Sequence, residues 1–204
     1  MPASGPLLVV SNHPGAYDTM LLLASVKRND AAIIAADRAF LRALPAFGRH
    51  LLFVPEGAAT PARAAGLRRA MRHLAAGGAL LHFAAGRIEP DPAFSREAAP
   101  LVAWSHGTGV LVRATARAHG VVVVAIGEAV HSARAKRLRV IRLAERFGVT
   151  TLAPLLQIAV PAYRDVRARV RFSEAVPART LVAGTDAEIT ARVRAIALGL
   201  LSPR

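Results

Sequence analysis

The chain has 204 residues, of which 53% are hydrophobic and 20% charged, and it contains no cysteine. That is enough apolar material to bury a core in one domain of ordinary size. A disordered tail is therefore excluded, as are disulfides, thiolate nucleophiles and cysteine-ligated zinc.

The formal net charge of +14 points to an anionic partner: nucleic acid, an acidic membrane face, or a phosphorylated substrate or carrier. Of the 27 basic residues only Lys27 and Lys136 are lysine. Arginine suits phosphate recognition through its planar fork of donors, although part of this bias in an alanine-rich chain reflects coding composition. No apolar run approaches the ~18–20 residues of a membrane-crossing helix. The opening residues lack the basic start and long apolar stretch of a signal peptide. The expected setting is cytoplasmic and peripheral, with membrane contact made from the inner face.

In chain order, residues 6–11 predict a strand, and residues 18–27 a helix opening directly after the Pro14-Gly15 turn. Residues 31–35 predict a second strand, residues 39–44 a short helix stopped near Pro45 and Gly48, and residues 51–54 a third strand. A longer helix follows, with Thr60 as N-cap, Pro61 at the first helical position and Gly77-Gly78 closing it. Residues 79–83 predict a buried strand and residues 108–119 a helix. Residues 121–126 form a continuous apolar strand of the kind that parallel sheets cover on both faces. Residues 168–172 alternate as an edge strand does. Thr185 with Glu188 three residues on makes a capping box for a helix reaching about Leu200. Strands separated by helical segments predict one α/β domain over residues 1–204, a mostly parallel sheet flanked by helices.

The run Asn12-His13-Pro14-Gly15-Ala16-Tyr17-Asp18 falls where a strand ends and a helix begins. In open α/β sheets ligands gather at the carboxyl ends of strands. The Pro-Gly turn bridges the gap to Asp18. Its carboxylate can then hold one imidazole nitrogen and leave the other free as a base, the role of the aspartate in a Ser-His-Asp triad. No activated serine is near. The simpler chemistry has His13 take a proton from a substrate hydroxyl, which attacks an acyl donor directly. The spacing alone is common, and an Asp18 that merely caps the helix accounts for a bare His-x4-Asp more often than catalysis does.

The surrounding blocks narrow the reading. Strand, Asn-His-x4-Asp and helix resemble the first motif of the glycerol-3-phosphate and 1-acylglycerol-3-phosphate (lysophosphatidic acid) acyltransferase superfamily. Arg38-Ala39-Phe40-Leu41, with Pro45 and Gly48 beyond it, resembles that family's Lys-x-Glu-Leu segment, and Leu52-Phe53-Val54 resembles the start of the second motif. Phe83-Ala84-Ala85-Gly86-Arg87 is similar to the Phe-Pro-Glu-Gly-Thr-Arg block, and residues 109–126 are similar to the fourth motif's helix and strand. The resemblance runs over roughly residues 6 to 175 and is that of a divergent member.

It implies a glycerol-3-phosphate acyltransferase-like fold, with His13 as general base and Asp18 as its orienter. For substrate binding it implies Asn12, Arg38, Arg63, Gly86 and Arg87, the arginines near a phosphate and Gly86 shaping the loop that approaches the acceptor. The implied donor is acyl-CoA or acyl carrier protein, and the acceptor a hydroxyl of a lysophospholipid or glycerol-phosphate-like molecule. The setting is phospholipid biosynthesis at an anionic membrane surface, with no metal, no tightly bound cofactor and no nucleic acid.

Several positions depart from the family pattern. The second-motif arginine falls near Glu56, with Arg63 the nearest replacement. The third-motif glutamate is Ala85, the threonine is Arg87 and the following arginine is Ile88. The fourth-motif proline is Val123. These positions hold glycerol phosphate in the family, so the acceptor here differs or is held differently. Arg87 and Glu89 are either compensating groups or a turn with a local ion pair.

Arg134, Lys136, Arg137, Arg139, Arg142 and Arg146, interleaved with Leu138, Val140, Ile141 and Leu143, predict a basic helix. It suits an anionic membrane surface, or else presents a solvated face of a core-packed helix. The segment's scarcity of aromatics weighs against stacking on single-stranded nucleic acid. The remaining histidines show no metal-like pairing; His82 is expected in the core or lining the site, and Trp104 and Tyr163 in the core more often than along an acyl groove. The competing readings are a catalytically degenerate acyl-chain or membrane-binding protein of the same fold and, on charge alone, a nucleic-acid-binding domain.

Overall fold

Leu7, Leu8, Val9 and Val10 are each 0% exposed, as a continuous apolar run must be when both faces of its sheet are covered. The computed structural model describes residues 1–15, 17–55, 60–94, 101–147, 149 and 152–201. The chain begins β1 (Leu7–Ser11), α1 (Asp18–Val26), β2 (Ala31–Ala36), α2 (Ala39–Arg42), α3 (Pro45–Gly48), β3 (Leu51–Val54), α4 (Thr60–Ala75) and β4 (Ala79–Phe83). It continues α5 (Gly107–Arg117), β5 (Val121–Glu128), α6 (Ala133–Arg137), α7 (Arg139–Arg146) and α8 (Leu152–Ala159). β6 (Arg169–Phe172), β7 (Val176–Pro177) and α9 (Asp186–Leu201) complete it, with 3-10 turns at Pro161–Tyr163 and Ala178–Thr180.

The seven strands among the described residues belong to one mixed sheet in the order β3-β2-β4-β1-β5-β6, with β7 also pairing β5. β1 to β5 run parallel, whereas β6 and β7 pair β5 antiparallel. Alternate strand residues feed two core layers. Leu8, Val10, Leu80 and Val124 pack with Leu74 of α4, Leu111 of α5 and Ile189 of α9. Leu7, Val9, Leu81 and Val123 pack instead with Leu22 and Val26 of α1. Each such buried aliphatic side chain contributes about 1.5–3 kcal/mol. The expected α/β class is thus observed, with helices on both faces.

The differences have local causes. Pro45 opens a new helix, α3, where a stop is predicted, because proline's fixed φ and missing N–H fit a first helical turn. The basic segment is two helices, α6 and α7, separated by an extended Leu138. Helix α8 was not legible because Pro154 interrupts its pattern; placed in the first turn, that proline costs no hydrogen bond. The capping box of α9 is present: Glu188 N–H donates to Thr185 Oγ1 at 3.3 Å, and Glu188 Oε2 accepts from Thr185 N–H at 2.6 Å. The side chain of Thr60 and residue Glu56 lie outside the described residues. Among the described residues no helix is long and apolar enough to cross a membrane.

His82 sits within β4, Nε2 3.1 Å from Thr108 Oγ1, and burial pulls its pKa from 6.5 to about 4. The folded protein therefore keeps it neutral. The stability tied to that neutrality is complete above pH 6.5 and is lost as pH falls towards about 4. A His82→Gln protein is expected to be less acid-sensitive by roughly 2–3 kcal/mol across that window. Denaturant midpoints for both proteins at several pH values check this; parallel pH curves would assign the sensitivity to other groups.

Candidate active site

The parallel register sets Ser11 of β1 beside Phe83 of β4 and Ala125 of β5, so the chain segments that follow these strands emerge on one edge of the sheet. Asn12 and His13 leave β1 there. Asn12 does not continue towards solvent. Its Nδ2 donates to Gly127 O at 2.9 Å and its Oδ1 accepts from Gly127 N–H at 2.8 Å. The side chain is fully buried, which corrects its expected role: Asn12 mimics a strand backbone and ties the end of β1 to β5, with no polar atom left for substrate.

His13 is held from four sides. Its backbone N–H donates to Glu89 Oε2 at 3.0 Å and its carbonyl accepts from Glu89 N–H at 2.8 Å. Its ring stacks on Phe83, centroids 4.2 Å apart and planes 20° from parallel. Nδ1 lies 2.8 Å from Asp18 Oδ2, and the same oxygen accepts Gly15 N–H at 3.2 Å. Asp18 is 1% exposed while the His13 side chain is 22% exposed. The carboxylate is thus sealed behind the turn. It fixes Nδ1 as the protonated nitrogen and leaves Nε2 as the free base on the open side.

Two acidic residues hold this arrangement: Glu89, which the sequence suggests as a compensating group or a local ion pair with Arg87, and Asp91, for which it suggests no role. Glu89 is 2% exposed and also accepts a hydrogen bond from Trp104 Nε1 at 3.4 Å. Burial pushes its carboxyl above the usual range, partly opposed by the backbone amide of His13, Trp104 and the backbone amide of Val102. Asp91 accepts hydrogen bonds from Ala93, Ala129 and Val130 N–H at 2.9–3.0 Å and lies 3.3 Å from His131 Nδ1. Burial works against its charge, yet the bonds from His131, Ala129 and Ala93 hold its carboxyl below the usual range. The Glu-Pro-Asp-Pro run is therefore a brace across the strand ends. Trp104 packs in the core as expected, and its one polar atom serves Glu89.

His131 in turn packs against the turn that follows His13. A Cβ at Gly15 would stand 2.8 Å from its Cε1 and Nε2 and 3.2 Å from Val130 Cγ2. The ring is buried and bound to Asp91, so it cannot yield cheaply. Gly15→Ala is expected to lose about 1–3 kcal/mol of stability. Unfolding titrations check it, and wild-type stability would show that the turn has slack.

Gly86, at φ +65°, makes the bend after β4 that glycine adopts without strain, and both it and Arg87 are exposed. Arg38 is exposed just after β2. Both arginines follow strands parallel to β1 and so lie at the same sheet edge as His13. The side chain of Arg63, in α4, is outside the described residues. An apolar groove of about 630 Å³ adjoins the turn, lined by Tyr17, Met20, Leu21, Val130, Gln157 and Val166 among others. Tyr17 closes one side by donating to Pro154 O at 3.3 Å. Among the described residues no three His, Asp or Glu side chains are grouped to hold a metal ion.

In comparisons with protein-family models, with curated proteins and with solved structures, the chain matches none.

Proposed function

We propose that this chain is an O-acyltransferase with a glycerol-3-phosphate acyltransferase-like fold. It moves a fatty acyl group from an acyl thioester to a hydroxyl of a lysophospholipid or related glycerolipid. The observation that carries this is the His13–Asp18 pair: a buried carboxylate on Nδ1 of an imidazole that is 22% exposed, in a turn whose Tyr17 lines an apolar groove. In the reaction Nε2 removes the acceptor's hydroxyl proton, and the oxygen attacks the thioester carbonyl. The tetrahedral oxyanion collapses, the carbon–sulfur bond breaks, and the thiolate takes the proton back from the imidazolium. The resemblance puts Arg38 and Arg87, both exposed, near the phosphates of donor or acceptor, and the groove has the volume and lining for part of an acyl chain. A lipid acceptor and the net charge of +14 fit peripheral work at an anionic membrane surface.

One observation favours a second reading, a non-catalytic acyl-chain or membrane-binding protein. Ala85 stands where the resembled family has glutamate, and Glu89 is spent as a buried brace and cannot replace it. Incubation with labelled acyl-CoA or acyl carrier protein and a panel of lysophospholipids, glycerol 3-phosphate and neutral alcohols separates the two. Repeated turnover that disappears in His13→Ala supports the enzyme; binding without turnover supports the second reading.

A further inference from the structure

Helix α7 is strongly amphipathic but is set the wrong way round for a core helix. A surface helix ordinarily turns its apolar stripe inward and its charges outward. Here Ile141 is buried at 1% exposure, while Val140 is 61%, Leu143 55% and Phe147, the residue after the helix, 79% exposed. Steps of three and four residues put these three on one stripe. Arg139 is exposed beside it on the wheel, Arg142 is exposed further round the same helix, and Arg137 precedes it. The helix's one acid, Glu145, is paired with Lys136, which leaves the exposed charge around the stripe basic.

We propose that this face of α7, Val140, Leu143 and Phe147 rimmed by Arg137, Arg139 and Arg142, docks the protein on a lipid bilayer carrying anionic head groups. The charge selects an anionic occupant, and the aliphatic and aromatic stripe selects one with hydrocarbon beneath its charge. A phosphodiester chain offers nothing to Leu143 or Val140, whereas a helix lying in the bilayer interface satisfies both halves at once. The placement fits the site. α6, α7 and α8 form the connection between β5 and β6, beginning at the sheet edge where His13 stands. α8 packs on α7, carries Leu155 at 55% exposure, and holds Tyr17 through Pro154. Met20, 54% exposed, lines the groove itself. That docking delivers a lipid acceptor to His13 rests on the proposed acyl transfer; the docking does not.

The full chain is sedimented with vesicles of phosphatidylcholine alone and with about one third phosphatidylglycerol. Wild type should bind the anionic vesicles only, less so at high salt. The L143S/F147S and R139E/R142E proteins should each bind at least about tenfold more weakly with unchanged circular dichroism. If a double variant misfolds, Phe147→Ser alone carries the test. Wild type that stays in the supernatant, or variants that bind like wild type, would overturn the proposal. A wild-type dimer that L143S/F147S converts to monomer would also overturn it, by giving the stripe to a second copy of the chain. Transfer to a short-chain soluble acceptor is measured alongside. Wild type that transfers without docking sinks the surface alone, and wild type that docks without transferring sinks the catalytic reading alone.

Discussion

Acyl transfer by a His13→Ala protein is expected to fall by about 10²–10⁴-fold, the range that a positioned general base supplies. Asp18→Asn is expected to fall less, by about 10²-fold, for a reason specific to this turn. In a triad, replacing the aspartate with asparagine inverts the imidazole tautomer, because the amide nitrogen turns towards the ring. Here Oδ2 of Asp18 faces two donors, His13 Nδ1–H at 2.8 Å and Gly15 N–H at 3.2 Å. An amide oxygen at that position keeps both bonds, and an amide nitrogen there would oppose Gly15 N–H. The asparagine is thus held oxygen-inward. The tautomer survives, and what is lost is the negative charge that stabilises the imidazolium. Steady-state transfer by wild type, His13→Ala and Asp18→Asn checks the order. Equal losses in the two variants would show that the tautomer is not protected, and an unaffected His13→Ala would remove His13 from the chemistry.

Asp91→Ala should produce the largest loss of stability, about 3–5 kcal/mol. Truncation leaves the N–H groups of Ala93, Ala129 and Val130 without their acceptor and frees His131 from its partner. The pH dependence has the opposite sign to that of Glu89. Because the Asp91 carboxyl is held below its ordinary range, its contribution is complete above the usual carboxylate pKa and is lost as pH falls through the lowered value. Glu89, held above its range, contributes at low pH and loses that contribution as pH rises through its raised value. Denaturant unfolding of wild type and Asp91→Ala at neutral and acid pH reads this: the gap should be widest at neutral pH and narrow on acidification. A gap below about 1 kcal/mol would mean that the brace is dispensable.

Much of the sheet was legible because its strands are continuous Leu and Val runs separated by helices with capping and glycine signals. The β4 bounds match the residues expected, and β1 differs at one residue. The contact of His13 with Asp18 was legible because only four residues separate the two. The brace was not. Glu89 and Asp91 look like ordinary turn acids, and nothing in Glu-Pro-Asp-Pro says that both point inward. Asn12 was misassigned for the same reason: its partner is Gly127, and no periodicity connects the two. The exposed stripe of α7 was ambiguous, since a basic amphipathic pattern does not say which face is covered.

Those distant partners also set the order in which the site can come into being. His13 meets Glu89 across a sequence separation of 76 residues, Asn12 meets Gly127 across 115, and Asp91 reaches Val130 across 39. Loop closure over such spans is compensated only once β1, β4 and β5 are already aligned. The histidine and aspartate adjoin early, on their own short loop, but they become rigid only when the chain beyond residue 130 has been added. A growing chain on the ribosome would carry the pair for most of its synthesis without a working geometry, and acquire one late.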